Sequence, residues 1–523
     1  MPRASCCFLA AVLLVLPLGC GEDSGREGGG GTASGTTTAA GTGSGVAGSG
    51  GGVGGGAGGT AGAGGTPLQC DDPDGDGYGT GPECLGEDCS PYNAGVHPGA
   101  EERCDGFDQD CDDVPDQGLT CNPALWVFLL AGQSNMVGLG FNSELPAGQQ
   151  GAVAGGHIFY DDTVHPNSNT LQWLPLAPGF GVANGRFGPE LTFGRRVRAL
   201  WPDRTIAIIK VAEGATALED RWAAGTGDLY QLLVNHVNDE MQDISQDWRP
   251  QIAGLVWMQG ESDAMSLSSA NAYGNNLHAF LLSLRADLDV AGMPATAGLI
   301  NPDGGWQYAT AVRNHTVGVS DWLGQVATVE TNDLPLQAAD PAHYTSQSFI
   351  TLGQRFAEAA TALVPASFSN VTDFTQAQGD GYWAYLERES GTSTLLGWSA
   401  AASRFQNDDS SVTIGQGWVQ PSSTSEAEIA WWAPYRGRAT VTVSVSDLEP
   451  GSGDGVQIEV VQDGEVIRGP QTVPNGGSAG HTIEVDVDQA TLLAFRTSAG
   501  SAQVATGDRT SWDIAITMEA SAY

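Results

Sequence analysis

Between residues 125 and 365 short apolar runs alternate with stretches in which apolar residues recur every three to four positions. Short runs bounded by turn formers make buried strands, and the wider spacing makes one-faced helices. The pattern predicts strands over 126–130, 206–211, 252–258, 296–300 and 325–331, and helices over 190–199, 229–241, 268–288 and 345–363. This alternation predicts an α/β layer fold with a parallel, doubly wound sheet. Past residue 370 the period changes to two. Residues 439–448, 455–467, 481–488, 491–497 and 512–520 alternate apolar with polar between Gly, Asp and Asn turns. They predict an all-β sandwich or jelly roll over 369–523.

The two ends depart from both patterns. Arg3, the apolar stretch 8–18 and the small residues of "LPLGC" read as an export signal over 1–20. Its end resembles the lipobox of bacterial lipoproteins, with Pro17 where Leu is usual. The resemblance implies a lipid on Cys20; a plain cleaved signal is the alternative. Residues 21–69 hold 22 glycines and too few large apolar side chains to build a core. As a flexible coil this tether spans about 40 Å. The expected location is the cell envelope or surface, or outside the cell. Membrane contact is expected only through Cys20, since no other apolar run nears the ~18–20 residues a bilayer requires. A net charge of −40, with Lys210 the single lysine, excludes nucleic acid as an expected partner, because phosphate binding needs a basic face.

Residues 70–121 concentrate both cysteine and acid. Six cysteines (Cys70, Cys84, Cys89, Cys104, Cys111, Cys121) in an exported segment predict three disulfides, with fifteen pairings open. "DPDGDGYGTGPE" sets Asp72, Asp74 and Asp76 at alternate positions, then Tyr78 and a twelfth-position Glu83. Three carboxylates, the Tyr78 carbonyl and a bidentate glutamate can wrap Ca2+, a hard cation. Asp108, Asp110 and Asp112 offer a second acidic ladder without the glycine or the glutamate. Fifteen acids against one arginine repel one another unless a cation neutralises them, so a structural Ca2+ is expected; a solvated acidic spacer is the alternative. The segment resembles the metal-binding repeats of exported bacterial proteins.

The chemistry is expected at "GQSNM", where Ser134 follows the first strand. Ligands of a doubly wound sheet collect at the carboxyl ends of its strands. A nucleophilic serine needs a base, an acid to orient it, and donors for the oxyanion. "DPAH" supplies His343 with Asp340 three residues before it. "FGPEL" and "WMQGESD" supply the Gly188 N–H and the Gln259 amide, to join the Ser134 N–H. Two decoys are set aside. "GGSAG" (476–480) joins strand-like runs rather than a strand and a helix, and Asp162 with His165 precede no helix.

"GQSNM", "FGPEL", "WMQGESD" and "DPAH" together resemble the blocks of the SGNH hydrolase superfamily, in its sialate O-acetylesterase and carbohydrate esterase family six group. The resemblance covers roughly 125–365. It implies a flavodoxin-like three-layer fold over a domain spanning 122–368 and removal of acetyl groups from carbohydrate hydroxyls without a catalytic cofactor. It implies Ser134 as nucleophile, His343 as base, Asp340 as its partner, and Ser134, Gly188 and Gln259 as oxyanion donors. Gln133, Asn135, Glu261, Asp263 and Trp222 would contact substrate or support loops. Gly214 departs from the paired glycines usual at its block. The C-terminal region loosely resembles the jelly-roll modules of carbohydrate-active enzymes, with Trp383, Trp398, Trp418, Trp431 and Trp432 free to stack on sugars or to pack the core. Two alternatives are an esterase for a non-carbohydrate ester and a non-catalytic glycan-binding surface protein.

Overall fold

The structure, a computed structural model, describes residues 70–520 except 71, 92, 104–107, 113, 162–168, 291, 408–410 and 501–507. Cys20, the tether and the Asp162–His165 pair lie outside the described residues. In chain order the α/β region comprises β1 (Ala124–Gly132), α1 (Ser134–Val137), β2 (Gly140–Phe141), β3 (Gly156–Asp161), β4 (Leu174–Pro175), β5 (Arg186–Phe187) and α2 (Pro189–Leu200). It continues with β6 (Thr205–Ala212), α3 (Asp228–Ile244), β7 (Arg249–Met258), α4 (Leu267–Asp287), β8 (Ala295–Gly298), α5 (Ala309–Val319), β9 (Val326–Val329), β10 (Leu336–Gln337), β11 (Asp340–Tyr344) and α6 (Ser346–Ala362).

Seven strands form one sheet in the order β4-β3-β6-β1-β7-β8-β9. All pairs are parallel except β3 with β4 at one edge. All five predicted strands are present; β3 and the short β4 come in addition to them. Continuous apolar character follows from burial on both faces: every β1 residue from Leu125 onward is buried. The helices bury one stripe each. In α3 Leu229, Leu233 and Val237 recur every four residues and all face the core. Fully burying one such side chain contributes about 1.5–3 kcal/mol. Thr345 caps α6 by accepting the Ser348 N–H, which fixes where the chain turns after His343.

Winding reverses at β1, with β6 on one side and β7 on the other. A crevice at the carboxyl ends follows from that reversal. Gly132 closes β1 with φ +148°; a Cβ there would lie 2.0 Å from the Met258 carbonyl oxygen, so only glycine lets β1 and β7 end this close together.

The C-terminal region consists of antiparallel strands in two sheets. Gly437–Asp447 lies between Ser478–Val487 and Thr510–Ala520, burying every second residue over most of its length. Ser367–Ser369 already pairs with Thr510–Ala520, so this sheet begins at the last residues assigned above to the catalytic region. The "GGSAG" decoy runs straight into the strand Ser478–Val487, with no helix after it. Trp383 and Trp431 are core residues; Trp398, Trp418 and Trp432 are half-exposed.

All described residues fall in one unit, Gln69–Tyr523. The α/β and β regions meet where the Gln489 amide donates to the Ile252 carbonyl and the Gln251 side chain accepts the Arg436 N–H. The Cys-rich segment rests on the β region through Arg103–Asp486 and Ser90–Glu484. Its disulfides include Cys70–Cys84 and Cys89–Cys111, and Cys121 is also disulfide-bonded.

Candidate active site

Ser134 is the first residue of α1 and is half-buried; Gln133 alone separates it from Gly132 at the end of β1. His343 sits in β11, which pairs with β10. Its Nδ1 lies 2.6 Å from Asp340 Oδ2. Asn135 joins the two segments. Its Nδ2 donates to the Ala342 carbonyl at 3.1 Å and its Oδ1 accepts the Tyr344 N–H at 3.4 Å, so the neighbour of Ser134 grips both neighbours of His343.

Asn135 Nδ2 also donates to Glu261 Oε1 at 2.7 Å. Burial pushes the Glu261 carboxyl upward, partly offset by that Asn135 bond and by nearby His343, and Glu261 Oε2 is buried without a hydrogen-bond partner. Gln133 is buried; its Oε1 accepts the Ser262 N–H at 3.3 Å, tying the serine turn to the "QGESD" loop.

The expected oxyanion donors divide. The Gln259 amide donates to Asp263 Oδ2 at 2.6 Å and to the Thr216 carbonyl at 2.8 Å. Asp263 also accepts the Leu218 N–H, and burial raises its carboxyl. The Gly188 N–H is donated to Glu190 Oε1 at 2.9 Å. Both donors are therefore spent inside the protein. The Ser134 N–H opens a helix, where no intrahelical acceptor exists, and it has no partner among the described residues.

Gly214, the glycine that departs from the pattern of its block, stands beside Ser134. It follows β6, the neighbour of β1, and a Cβ on it would lie 3.6 Å from Ser134 Cβ. Its N–H likewise has no partner among the described residues. The next residue, Ala215, has φ +59°, a left-handed conformation unfavourable for a residue with a Cβ. Such a turn gathers successive N–H groups into a concavity suited to an anion. The signal available in sequence was position: a glycine just past the strand that flanks the serine strand.

Trp222 is fully buried, donating from Nε1 to Thr216 Oγ1 and packing edge-on against Trp257. It supports the loop and is closed to substrate. Glu213 is held by a two-pronged Arg221 contact at 2.7 and 3.2 Å.

In the acidic segment the carboxylates of Asp72, Asp74 and Asp76 gather as expected, within 4.8 Å of one another. Glu83 is exposed and is not among them. Asp88 stands nearby instead: burial and then the charges of Asp76 and Asp72 push its carboxyl upward. Burial and the adjacent Asp76 take Asp74 up to about 6. Asp74, Asp76 and Asp88 each bury one Oδ2 without a hydrogen-bond partner. Tyr78 stacks its ring on His97. At the second ladder Glu102, rather than Asp112, joins Asp108 and Asp110. Asp112 is taken up locally by the Val114 N–H and the Gln117 amide. Sequence spacing missed both Asp88 and Glu102 because they arrive from outside their ladders.

Residues 124–362 match the family described as "Carbohydrate esterase, sialic acid-specific acetylesterase", and residues 88–117 a "Putative metal-binding motif". A "Probable carbohydrate esterase" of Arabidopsis thaliana is 28% identical over 258 residues, covering 45% of this chain and 90% of that protein. Among solved structures, an Arabidopsis thaliana protein superimposes with a TM-score of 0.38 at 24% identity, covering 46% of this chain and 99% of its own. A carbohydrate acetylesterase from Xanthomonas citri gives 0.35 at 15%, covering 74% and 78%. Over residues 124–362 the chain is thus similar to carbohydrate esterases of the sialic acid-specific acetylesterase family, a similarity that makes it an ester hydrolase.

Proposed function

We propose that the protein is an exported serine esterase that removes O-acetyl groups from carbohydrates through an acyl-enzyme. The observation that supports it most is the Asn135 clamp, which joins the Ser134 turn to the residues flanking a His343 already paired with Asp340. Asp340 accepts the Nδ1–H of His343 and so leaves Nε2 to take the Ser134 proton as the oxygen attacks the acetyl carbonyl. The developing oxyanion is received by the N–H groups of Ser134 and Gly214; one such donor is typically worth roughly 3–4 kcal/mol of barrier. His343 returns the proton to the departing sugar hydroxyl, and water, activated by the same imidazole, then releases acetate. Gly188 and Gln259 act one layer back, through Glu190 and Asp263. This chemistry calls for no cofactor.

The α/β region is a flavodoxin-like three-layer domain on this reading, and the C-terminal region a jelly-roll module whose half-exposed Trp398, Trp418 and Trp432 meet glycan. Cys20 carries a lipid and 21–69 is the tether that displays the enzyme from the cell envelope. The orphaned oxygens of Asp74, Asp76 and Asp88 fit a hard cation, so Asp72, Asp74, Asp76 and Asp88 hold a structural Ca2+, with Glu102, Asp108 and Asp110 a second position. Affinity on the order of 0.1–1 mM is expected for extracellular modules of this kind.

The test is acetate release from p-nitrophenyl acetate and from acetylated xylan, sialic acid and pectin, by wild type and Ser134→Ala, with and without EDTA. Release that vanishes in the variant and survives EDTA supports the mechanism, and the panel ranks the substrates. Equal release by Ser134→Ala, or none by either, removes it and leaves glycan binding as the function to assay.

A further inference from the structure

Three backbone segments around the serine turn converge on one side chain. Lys210, the only lysine in the chain, lies in β6 with its ammonium fully buried. It donates to the Val137 carbonyl at 2.9 Å, the Phe180 carbonyl at 2.8 Å and Glu190 Oε2 at 2.7 Å. An ammonium has three protons, and all three are placed. Glu190 extends the connection, its Oε1 accepting the Gly188 N–H.

Val137 is the last residue of the helical turn that begins at Ser134. One ion pair therefore links the far end of the nucleophile's turn to the Gly188 loop. The two backbones also touch: Gly138 has φ +96°, and a Cβ there would lie 2.1 Å from Gly188 Cα. Moving either segment moves the other. Core stability does not ask for this pair, because desolvating two charges is costly and apolar residues of the same volume usually serve as well or better. What apolar residues cannot do is fix three carbonyl and carboxylate oxygens at hydrogen-bond distance from a single point.

We propose that Lys210 and Glu190 are positioning residues that hold the Ser134 turn and the Gly188 loop in the register required for attack. The proposal rests on Ser134 being the nucleophile. It excludes any contact between the pair and substrate, since both side chains are sealed from solvent.

The experiment uses the full chain, with Lys210→Met and Glu190→Gln compared with wild type for kcat and KM on p-nitrophenyl acetate. Active enzyme is counted by labelling Ser134 with a fluorophosphonate, and melting temperature and the pH profile are recorded alongside. A misplacement of about 1 Å can lower rate about 10²-fold, so kcat per folded molecule should fall between tenfold and that value. KM should stay within about threefold of wild type on the same argument, and the pH midpoint should not move, because the His343–Asp340 pair is untouched. The rate of Ser134 labelling should fall in step with kcat. A lower melting temperature with kcat and labelling rate within about twofold of wild type makes the pair structural only and overturns the proposal. If Lys210→Met does not fold, Glu190→Gln gives the same reading, since it keeps the Lys210 charge and the volume of the site. Wild type against Ser134→Ala separates the two failures: equal activity there sinks the nucleophile assignment, whereas silent pair variants beside an inactive Ser134→Ala sink only the positioning role.

Discussion

The serine site and the Cys-rich segment both crowd carboxylates together, and they settle them in opposite ways. At the site each acid has a named donor: His343 for Asp340, Asn135 for Glu261, Gln259 and the Leu218 N–H for Asp263, Lys210 and the Gly188 N–H for Glu190. In the segment Asp74, Asp76 and Asp88 crowd together with buried oxygens that no protein donor reaches. A buried polar atom without a partner is expensive. The first arrangement leaves a single orphan, Glu261 Oε2, whereas the second leaves several orphaned oxygens crowded on neighbouring acids and calls for a cation from outside. Chemistry and metal should therefore be separable.

The largest expected effect lies at the complete site. Ser134→Ala should lower kcat by roughly 10⁴-fold or more while leaving the fold intact, read by acetate release beside circular dichroism. Asp340→Asn replaces the carboxylate with a neutral amide that can hold the imidazole in the wrong tautomer, and should cost about 10²- to 10⁴-fold in kcat. Asn135→Ala removes the grip on both neighbours of His343 and should cost less, roughly 10- to 10²-fold, again in kcat rather than KM. If Asn135→Ala changed KM alone, Asn135 would be a substrate contact and not the clamp.

The two regions were also unequally legible in sequence. Apolar runs announce strands buried on both faces, so the five predicted strands of the parallel sheet were found, while β3, with only Ile158, Phe159 and Tyr160 as its apolar run, was passed over. Motif spacing singled out Ser134, Asp340 and His343 as candidates, because the last two are neighbours in sequence and the first follows the end of a strand; the structure pairs His343 with Asp340. Spacing says nothing of where an N–H points. Gly188 and Gln259 looked like free donors until Glu190 and Asp263 appeared as their acceptors, and Gly214 gained its place only from the sheet order that sets β6 beside β1. The acidic segment was read by counting along one loop, which misses Asp88 and Glu102 because folding brings them in from elsewhere.

Removing divalent cations sharpens the comparison. EDTA should lower the melting temperature of the Cys-rich segment, followed by hydrogen exchange over 70–121, and Ca2+ in the millimolar range should restore it. Acetate release should stay within about twofold, since among the described residues the serine site gathers no group of acids placed to share a cation. Loss of activity that Ca2+ restores would mean that the segment, resting on the β region through Arg103–Asp486 and Ser90–Glu484, also holds the catalytic region in shape.

The smallest effect is the most discriminating. Burial, then its neighbour Asp76, raises Asp74 from 3.8 to about 6, so between those values the folded segment binds more protons than the unfolded chain. Folding is then linked to proton uptake, and stability falls as pH rises through the window. In EDTA, protection of 70–121 from exchange should therefore improve as pH is lowered from 7 toward 5. With Ca2+ present the order reverses, because the cation competes with protons for the same oxygens and binds best once they are ionised. Paired surface carboxylates would behave differently, losing stability as pH falls with or without metal. If the segment in EDTA weakened on acidification, its acids would already be satisfied by protein donors, and the contrast with the serine site would disappear.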